Sequence, residues 1–172
     1  GRRRATFRWA PGAVRASDWE SVHGASVGSG TFVQTNTSNS WSYGAYTWAN
    51  PITATSDVYG VSATFSNGSG GTDKYAVLGL AFAASKDDGH HPDHTEYGLY
   101  WVSGGGLRVL ENDVNMLTTG VTWTPSTVCK VLVNRTTDKV EYWADGTLLY
   151  TSTKAITYPL ALKITSHTHN ST

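Results

Sequence analysis

The fold is decided by the sequence VCKVLVN-RTTD-KVEYWA-DG-TLLY, which runs from Val128 to Tyr150. Cys129, Val131 and Val133 recur at every second position, and this period of two predicts a strand with one buried face. The pair Asp145-Gly146 favours a turn with positive φ at both central positions, which is the strongest short-range signal for a hairpin. The stretch therefore predicts three antiparallel strands joined by two tight turns.

The composition favours strands and limits the classes of partner. The chain has 172 residues, the length of one domain, and combines 7 Trp and 9 Tyr with only 15% charged residues. Its 13 basic and 13 acidic side chains give a formal net charge of zero. No global field would draw such a chain onto nucleic acid, so nucleic acid is not an expected partner. No apolar run has the length needed to span a bilayer.

The basic residues at the start of the chain predict a separate short segment. Arg2, Arg3 and Arg4 follow one another, and such charge runs are usually solvated. We therefore expect residues 1–5 to form a basic, disordered arm and residues 6–172 to form a single β-sandwich domain.

Short strands separated by Gly- and Asn-rich turns account for most of the chain. The sequence at Ser17–Glu20 has capping-box spacing, but Gly24 follows so soon that at most one helical turn is expected. Many short strands without crossover helices indicate an all-β sandwich or barrel. The alternation and turn signals predict eleven strands, at residues 6–9, 30–35, 42–48, 57–66, 75–83, 97–102, 107–111, 128–134, 139–144, 147–152 and 161–166.

Four motifs occur in a fixed order: Tyr97-Gly98-Leu99-Tyr100, the strand Gly106–Asn112, the hairpin Lys139–Ser152, and Tyr158-Pro159-Leu160. This order resembles the concanavalin A-like, or laminin G-like, jelly-roll modules of extracellular and cell-surface proteins. It departs from their pattern at Asp113, where they have Gly, and in an insert around residues 85–95. The resemblance implies a two-sheet antiparallel β-sandwich whose relatives mostly bind glycans or proteins.

Aromatic side chains are the first candidates for a binding site, because the C–H faces of sugars stack on Trp and Tyr while hydroxyls need polar neighbours. With Val140 and Tyr142 facing inward, strand parity places Glu141 and Trp143 on the outer face. These two residues are the leading carbohydrate-binding candidates. Trp41, Tyr43 and Trp48 form a second candidate cluster. The alternative interpretation of all these aromatics is ordinary sandwich packing.

A dense set of oxygen and imidazole groups follows the strand that ends near Ala84. Carboxylates with backbone carbonyls suit Ca²⁺, whereas imidazoles with carboxylates suit a transition metal such as Zn²⁺, Cu²⁺ or Mn²⁺. The spacing matches no specific metal motif, so a solvated polar loop is the third interpretation. The candidate ligands are Asp87, Asp88, His90, His91, Asp93 and His94.

Cys129 is the only cysteine, and its position in an alternating apolar strand predicts a buried, inert thiol. Asn-x-Ser/Thr sequons occur in or beside polar turns, where a glycan would be tolerated. They lie at Asn36, Asn67, Asn134 and Asn170. Together with the family resemblance, the sequons favour an extracellular or cell-surface location, with an organelle lumen as the alternative.

The sequence favours recognition over catalysis. Glycoside hydrolysis needs two carboxylates facing one cleft, and the available strand glutamates are Glu96, Glu111 and Glu141. Neither the Glu-x-Asp-x-x-Glu motif of laminarinase-like relatives nor a Gly-x-Ser-x-Gly elbow is present. We therefore expect a non-catalytic carbohydrate-binding module. The alternatives are a structural or interaction subunit docked onto a larger protein assembly and a jelly-roll glycosidase.

Overall fold

The structure, a computed structural model, describes the backbone over most of the chain and the side chains over a smaller part. The described residues are 4–10, 20–23, 25–28, 31–34, 43–66, 74–82, 95–102 and 104–168. Side chains are described at 26, 28, 31–32, 51–65, 76–82, 95–102 and 104–167.

Within these residues the chain forms fourteen β-strands and no helix. The strands are β1 (Arg4–Ala10), β2 (Glu20–His23), β3 (Ala25–Gly28), β4 (Thr31–Gln34), β5 (Tyr43–Ile52), β6 (Gly60–Ser66), β7 (Lys74–Phe82), β8 (Tyr97–Trp101), β9 (Gly106–Glu111), β10 (Val114–Thr122), β11 (Cys129–Asn134), β12 (Lys139–Ala144), β13 (Thr147–Thr151) and β14 (Leu160–Thr168).

The strands form two antiparallel sheets of seven strands each. Sheet 1 has the order β13-β12-β11-β6-β1-β4-β3, and sheet 2 has the order β10-β9-β8-β7-β14-β5-β2. Each sheet combines strands from both halves of the sequence, so long-range pairing builds the fold. The predicted all-β, two-sheet antiparallel sandwich is confirmed.

The core lies between the sheets and is built by alternate residues of each strand, as the period of two predicts. Phe65 of sheet 1 stacks on Trp101 of sheet 2, with ring centroids 5.1 Å apart and an interplanar angle of 18°. Cys129, Val131 and Tyr142 contribute fully buried side chains from sheet 1. The inward and outward faces predicted for β11 and β12 are confirmed.

The predicted hairpin turns form, and Asn and Asp as well as Gly adopt the left-handed backbone conformation in them. Asp145 and Gly146 have φ values of 45° and 77°, which is the positive-φ pair that a tight two-residue turn needs. Between β9 and β10, Asn112 and Asp113 have φ values of 52° and 65°. Asn and Asp tolerate this region better than other non-glycine residues. Asp113 thus adopts a positive φ without being glycine.

Three of the fourteen strands in the structure, β2, β3 and β10, are not among the eleven that the sequence predicts. Each of them lacks the pattern that identifies a strand in sequence. The strands β2 and β3 have four residues each, and β2 begins at Glu20, where the capping-box spacing predicted a helical turn. Its pairing with β5 overrides that local signal. The third, β10, lies at the edge of sheet 2, where half-buried Leu117, Thr119 and Val121 alternate with exposed residues and no side chain is fully buried.

Most of the predicted strand bounds also shift by one to four residues, and two of these shifts have a physical interest. The first strand begins at Arg4, so the last two residues of the expected arm, residues 1–5, pair with β4 and β6. Residues 1–3 lie outside the described residues. The fifth strand extends past the predicted end at Trp48 to Ile52 and includes Pro51. The pairing of β5 with β14 shifts register beyond Thr47, and such an irregularity accommodates a proline that lacks a backbone donor.

We expect the Cys129 thiol to be unreactive in the native protein and reactive after unfolding. Its side chain is fully buried, and burial raises the pKa of the thiol from 9.0 to about 12. Because the unfolded thiol ionises at lower pH than the native one, Cys129 contributes a loss of stability that grows as the pH rises from about 9 to about 12. Titration with a thiol-specific disulfide reagent at pH 8, with and without urea, checks the reactivity. Equal rates in both states would contradict it.

Candidate functional site

The outer face of sheet 1 is open at β11 and β12, whereas the corresponding face of sheet 2 is closed at β14. Residues 160–165 of β14 are buried on both faces, and they include the outward-facing Lys163 and Thr165. On sheet 1 the outward side chains of Lys130, Glu141 and Trp143 are exposed or partly exposed. A ligand can therefore reach sheet 1 where the sequence predicts a site.

Two neutral donors hold the Glu141 carboxylate in place. The Trp143 indole Nε1 donates to Glu141 Oε2 at 3.0 Å, and Asn134 Nδ2 donates to Glu141 Oε1 at 2.7 Å. Each carboxylate oxygen thus has one donor among the described residues, and each retains lone-pair capacity for another. We call Asn134, Glu141 and Trp143 the Trp143 face. It combines a fixed indole ring with a fixed hydrogen-bond acceptor.

The turn between β11 and β12 fixes the Asn134 side chain. Asn134 Oδ1 accepts hydrogen bonds from the backbone N–H groups of Thr136 and Thr137 at 2.9 and 3.2 Å, as Asn side chains do in Asx turns. Its Nδ2 is therefore directed to Glu141. Strand parity alone predicts Glu141 and Trp143 but does not identify Asn134, which the sequence marks only as a possible glycosylation site.

Arg135 attaches this turn to the loop before β6. Its guanidinium donates to the backbone oxygens of Thr53, Ser56 and Val58 at 2.8, 3.0 and 3.1 Å. It also lies over the Tyr158 ring, 5.9 Å from the centroid. Three convergent carbonyl oxygens match the planar array of guanidinium donors. The Trp143 face is thus supported by a turn held at several points.

Cross-strand pairing places further residues beside the Trp143 face. Trp143 pairs with Lys130 on β11 and with Leu148 on β13. The neighbouring Tyr142 pairs with Tyr150, so Leu149 has no partner on β12 and forms a bulge that brings Leu148 opposite Trp143. Leu148 is 44% exposed. The face therefore has an apolar neighbour on one side and a cationic neighbour on the other.

Glu111 on β9 and Glu96, which directly precedes β8, belong to a separate network of contacts. Lys154 Nζ lies 2.6 Å from Glu96 Oε1 and 3.9 Å from Glu111 Oε2. Tyr142 donates its hydroxyl hydrogen to Glu111 Oε1 at 3.2 Å, and burial raises the pKa of Tyr142 well above its ordinary value. The Glu111 side chain has no exposed surface. The Glu111 carboxylate therefore lies between the sheets, away from the Trp143 face, while Lys154 and Glu96 remain partly exposed.

The second aromatic cluster falls only partly on described residues. Tyr43 and Trp48 lie on β5 in sheet 2, while Trp41 and the side chains of the other two are outside the described residues. Since β5 and β12 belong to different sheets, the structure does not unite this cluster with Glu141 and Trp143. Its role in carbohydrate binding stays a prediction.

The predicted metal ligands lie outside the described residues. Asp87, Asp88, His90, His91, Asp93 and His94 fall within residues 83–94, which join β7 to β8. Among the described side chains, no three His, Cys, Asp or Glu come together in a way that would hold a metal. Binding of Ca²⁺ or a transition metal by residues 87–94 stays a prediction.

Of the four sequons, only Asn134 lies on described residues, while Asn36, Asn67 and Asn170 lie outside them. Both polar atoms of the Asn134 amide make hydrogen bonds within the protein. A glycan on Nδ2 would therefore compete with the contact to Glu141. Glycosylation at the four positions stays a prediction.

Two solved structures are similar to this chain in fold. The carbohydrate recognition domain of Emp47p is 10% identical, covers 95% of this chain and 86% of its own, and has a TM-score of 0.43. The carbohydrate binding module CBM66 from Bacillus subtilis is 9% identical, covers 88% of this chain and 92% of its own, and has a TM-score of 0.34. Both are named for carbohydrate binding.

No protein-family model and no curated protein matches the chain. In the part of the chain that the structure describes, no helix has the length and apolar character needed to cross a bilayer.

Proposed function

We propose that this chain is a non-catalytic carbohydrate-binding module whose site is the Trp143 face. The observation that carries the proposal is the pair of hydrogen bonds from Trp143 Nε1 and Asn134 Nδ2 to the Glu141 carboxylate. They orient an accessible indole ring beside a charged acceptor before any ligand arrives. Such preorganisation lowers the entropy that binding would otherwise cost.

The chemistry of this face suits a sugar. A pyranose presents a flat C–H face to an aromatic ring and hydroxyl hydrogens around its edge. The Trp143 indole offers its ring for stacking, and the remaining lone pairs of Glu141 accept hydrogen bonds from hydroxyls. Hydrogen bonds to a charged acceptor are stronger than those between neutral groups.

The carboxylate arrangement supports binding without hydrolysis. A glycosidase needs an acid and a second carboxylate on opposite sides of the scissile bond in one cleft. Glu96 and Glu111 are instead bound to the same Lys154, and Glu111 has no exposed side-chain surface. Glu141 lies in the other sheet, on its outer face, and has no carboxylate partner among the described residues.

A glycan array probed with the purified chain tests the proposal. We expect binding to a restricted set of glycans, with no release of reducing sugar from those glycans on prolonged incubation. The array is run with and without EDTA, so that any contribution of metal at residues 87–94 is seen separately. Absence of binding under both conditions would reject the lectin function, and release of sugar would reject its non-catalytic character.

Docking onto a larger protein assembly is a second candidate function, and β10 favours it. This edge strand carries no charged residue from Val114 to Thr122, and it exposes 60% of Val114 and 37% of Met116. Uncharged edges offer unpaired backbone groups to another chain. Native purification separates the two functions, because a monomer without a co-purifying protein would count against docking.

A further inference from the structure

A small cavity lies beside the Trp143 face, on the outer side of sheet 1. Its volume is about 120 Å³, and its lining residues are Tyr59, Val61, Ser62, Lys130 and Leu132. At about 30 Å³ per water molecule, it has room for about four waters. This space fits a carboxylate or sulfate group but is below the 300 Å³ or so at which whole-ligand pockets begin.

The cavity results from small residues on β6 beside larger ones on β11. A Cβ atom at Gly60 would lie 2.5 Å from the Leu132 Cα, so glycine is required for the close approach of the two strands. Ser62 pairs with Lys130, and its short side chain leaves space between Tyr59 and the lysine. The cavity is therefore part of the strand pairing that builds the sheet.

The polar groups that line the cavity are donors without partners in the described part of the protein. The ion pairs between described side chains both belong to Lys154, so none of them neutralises Lys130. Neither the Tyr59 hydroxyl nor the Ser62 hydroxyl has a hydrogen-bond partner among the described residues. One ammonium and two hydroxyl groups around a small space form an environment suited to an oxyanion.

Strand geometry connects this cavity to the Trp143 face. Ser62, Lys130 and Trp143 occupy successive positions across β6, β11 and β12. Adjacent strands are about 4.8 Å apart, so Ser62 and Trp143 are separated by about 10 Å. Two linked sugar residues span a distance of this order. An acidic group in the cavity and a ring on Trp143 can therefore belong to one oligosaccharide.

We propose that the cavity binds the carboxylate or sulfate group of an acidic sugar residue while the adjoining residue of the same glycan stacks on Trp143. The inference rests on the proposed function and narrows its ligand to acidic oligosaccharides. Lys130 supplies the charge, and Tyr59 and Ser62 supply hydrogen bonds to the anionic oxygens.

The test compares each glycan that the array identifies in three forms: neutral, oxidised at carbon 6 to the uronic acid, and sulfated at that position. Inorganic sulfate is added as a fourth probe, to show whether the anion binds without the sugar. We expect one of the acidic forms to bind roughly tenfold more tightly than the neutral form, as for a hydrogen bond to a charged group. The preference should weaken as ionic strength rises.

Lys130→Gln should remove this preference, so that the acidic and neutral forms bind the variant with similar affinity. Ser62→Val, which replaces the lining hydroxyl with methyl groups without removing charge, should also reduce the preference. Arg108→Gln is the matched control, because it removes an exposed positive charge from β9 in sheet 2 and should leave the preference intact.

The outcomes separate the two proposals. Equal binding of neutral and acidic forms, or a preference that survives Lys130→Gln, would overturn the acidic-sugar inference and leave the carbohydrate-binding function standing. Inorganic sulfate that binds equally well to wild type and Lys130→Gln would also count against the cavity. Failure of all three sugar forms to bind would overturn both proposals.

Discussion

Replacing Trp143 with alanine is expected to reduce the affinity for a bound glycan by about 30-fold, equivalent to about 2 kcal/mol. The substitution removes the stacking ring, and it also removes the indole N–H that holds Glu141 Oε2 at 3.0 Å. The Glu141 carboxylate then loses one of the two hydrogen-bond donors that it has among the described residues. Isothermal titration calorimetry on the strongest array hit measures the change.

Two further variants separate stacking from anchoring. Trp143→Phe keeps an aromatic face but cannot donate to Glu141, so we expect an affinity between those of the wild type and Trp143→Ala. Met116→Ala removes an exposed apolar side chain from the edge of sheet 2 and should not change the affinity. Urea unfolding of each variant shows whether the fold is retained.

Alanine variants of the second aromatic cluster show which result would contradict a site on the Trp143 face. If Trp143→Ala binds like the wild type while Trp41→Ala or Trp48→Ala loses binding, the site is on the other cluster and the Trp143 face is structural. If all three variants bind like the wild type, neither aromatic cluster carries the stacking.

The sequence predicts the inward and outward faces of β11 and β12 because alternation is a local property of the chain. A period of two needs only neighbouring residues to place Val131 and Tyr142 inside and Glu141 and Trp143 outside. The turn at Asp145-Gly146 is equally local, because its positive φ values follow from the residue types.

The surroundings of the site could not be predicted in this way. The cavity depends on the pairing of Ser62 with Lys130, and no local pattern identifies which strands are neighbours when so many residues separate them. The contact of Asn134 with Glu141 depends on the conformation of a turn. Such features arise from pairing and turn geometry, and a single sequence does not record them.

Glu111 shows that contacts with distant residues can make a glutamate structural although the sequence offers it as a candidate for catalysis. On sequence grounds it was one of three glutamates available for catalysis at a strand end, where a charged group is usually solvated. In the structure it is buried between the sheets, because Lys154 and Tyr142 approach its carboxylate. Burial of a carboxylate requires such partners, and they lie more than thirty residues away.

This network gives the largest stability effect that we expect from a single substitution. Lys154→Met removes the ammonium that lies between Glu96 and Glu111 and leaves the buried Glu111 carboxylate with the Tyr142 hydroxyl as its described donor. Breaking one side of a buried ion pair costs about 3 to 5 kcal/mol. Because Lys154 is 36% exposed, solvent screens part of the interaction, and we expect a loss of about 2 to 3 kcal/mol in the free energy of unfolding. Urea denaturation measures it.

Lys139→Met is the matched control, because it removes a lysine from the same end of the sandwich without leaving a carboxylate unpaired. Lys139 Nζ donates to the backbone oxygens of Thr153 and Lys154 at 3.0 and 3.1 Å. Losing these partly exposed hydrogen bonds to neutral carbonyl acceptors should cost about 1 kcal/mol. A loss for Lys154→Met no larger than that for Lys139→Met would show that the ion pairs do not stabilise the fold.

The double variant Lys154→Met, Glu111→Gln tests whether the unpaired carboxylate causes the loss of stability. A neutral amide at position 111 keeps an oxygen for Tyr142 and no longer needs a counterion, so the double variant should be more stable than Lys154→Met alone. If Glu111 is structural, as its burial indicates, a folded Glu111→Gln variant should also bind glycans with unchanged affinity. A loss of glycan binding without a loss of stability would instead place Glu111 in the functional site and require its buried carboxylate to reach the ligand.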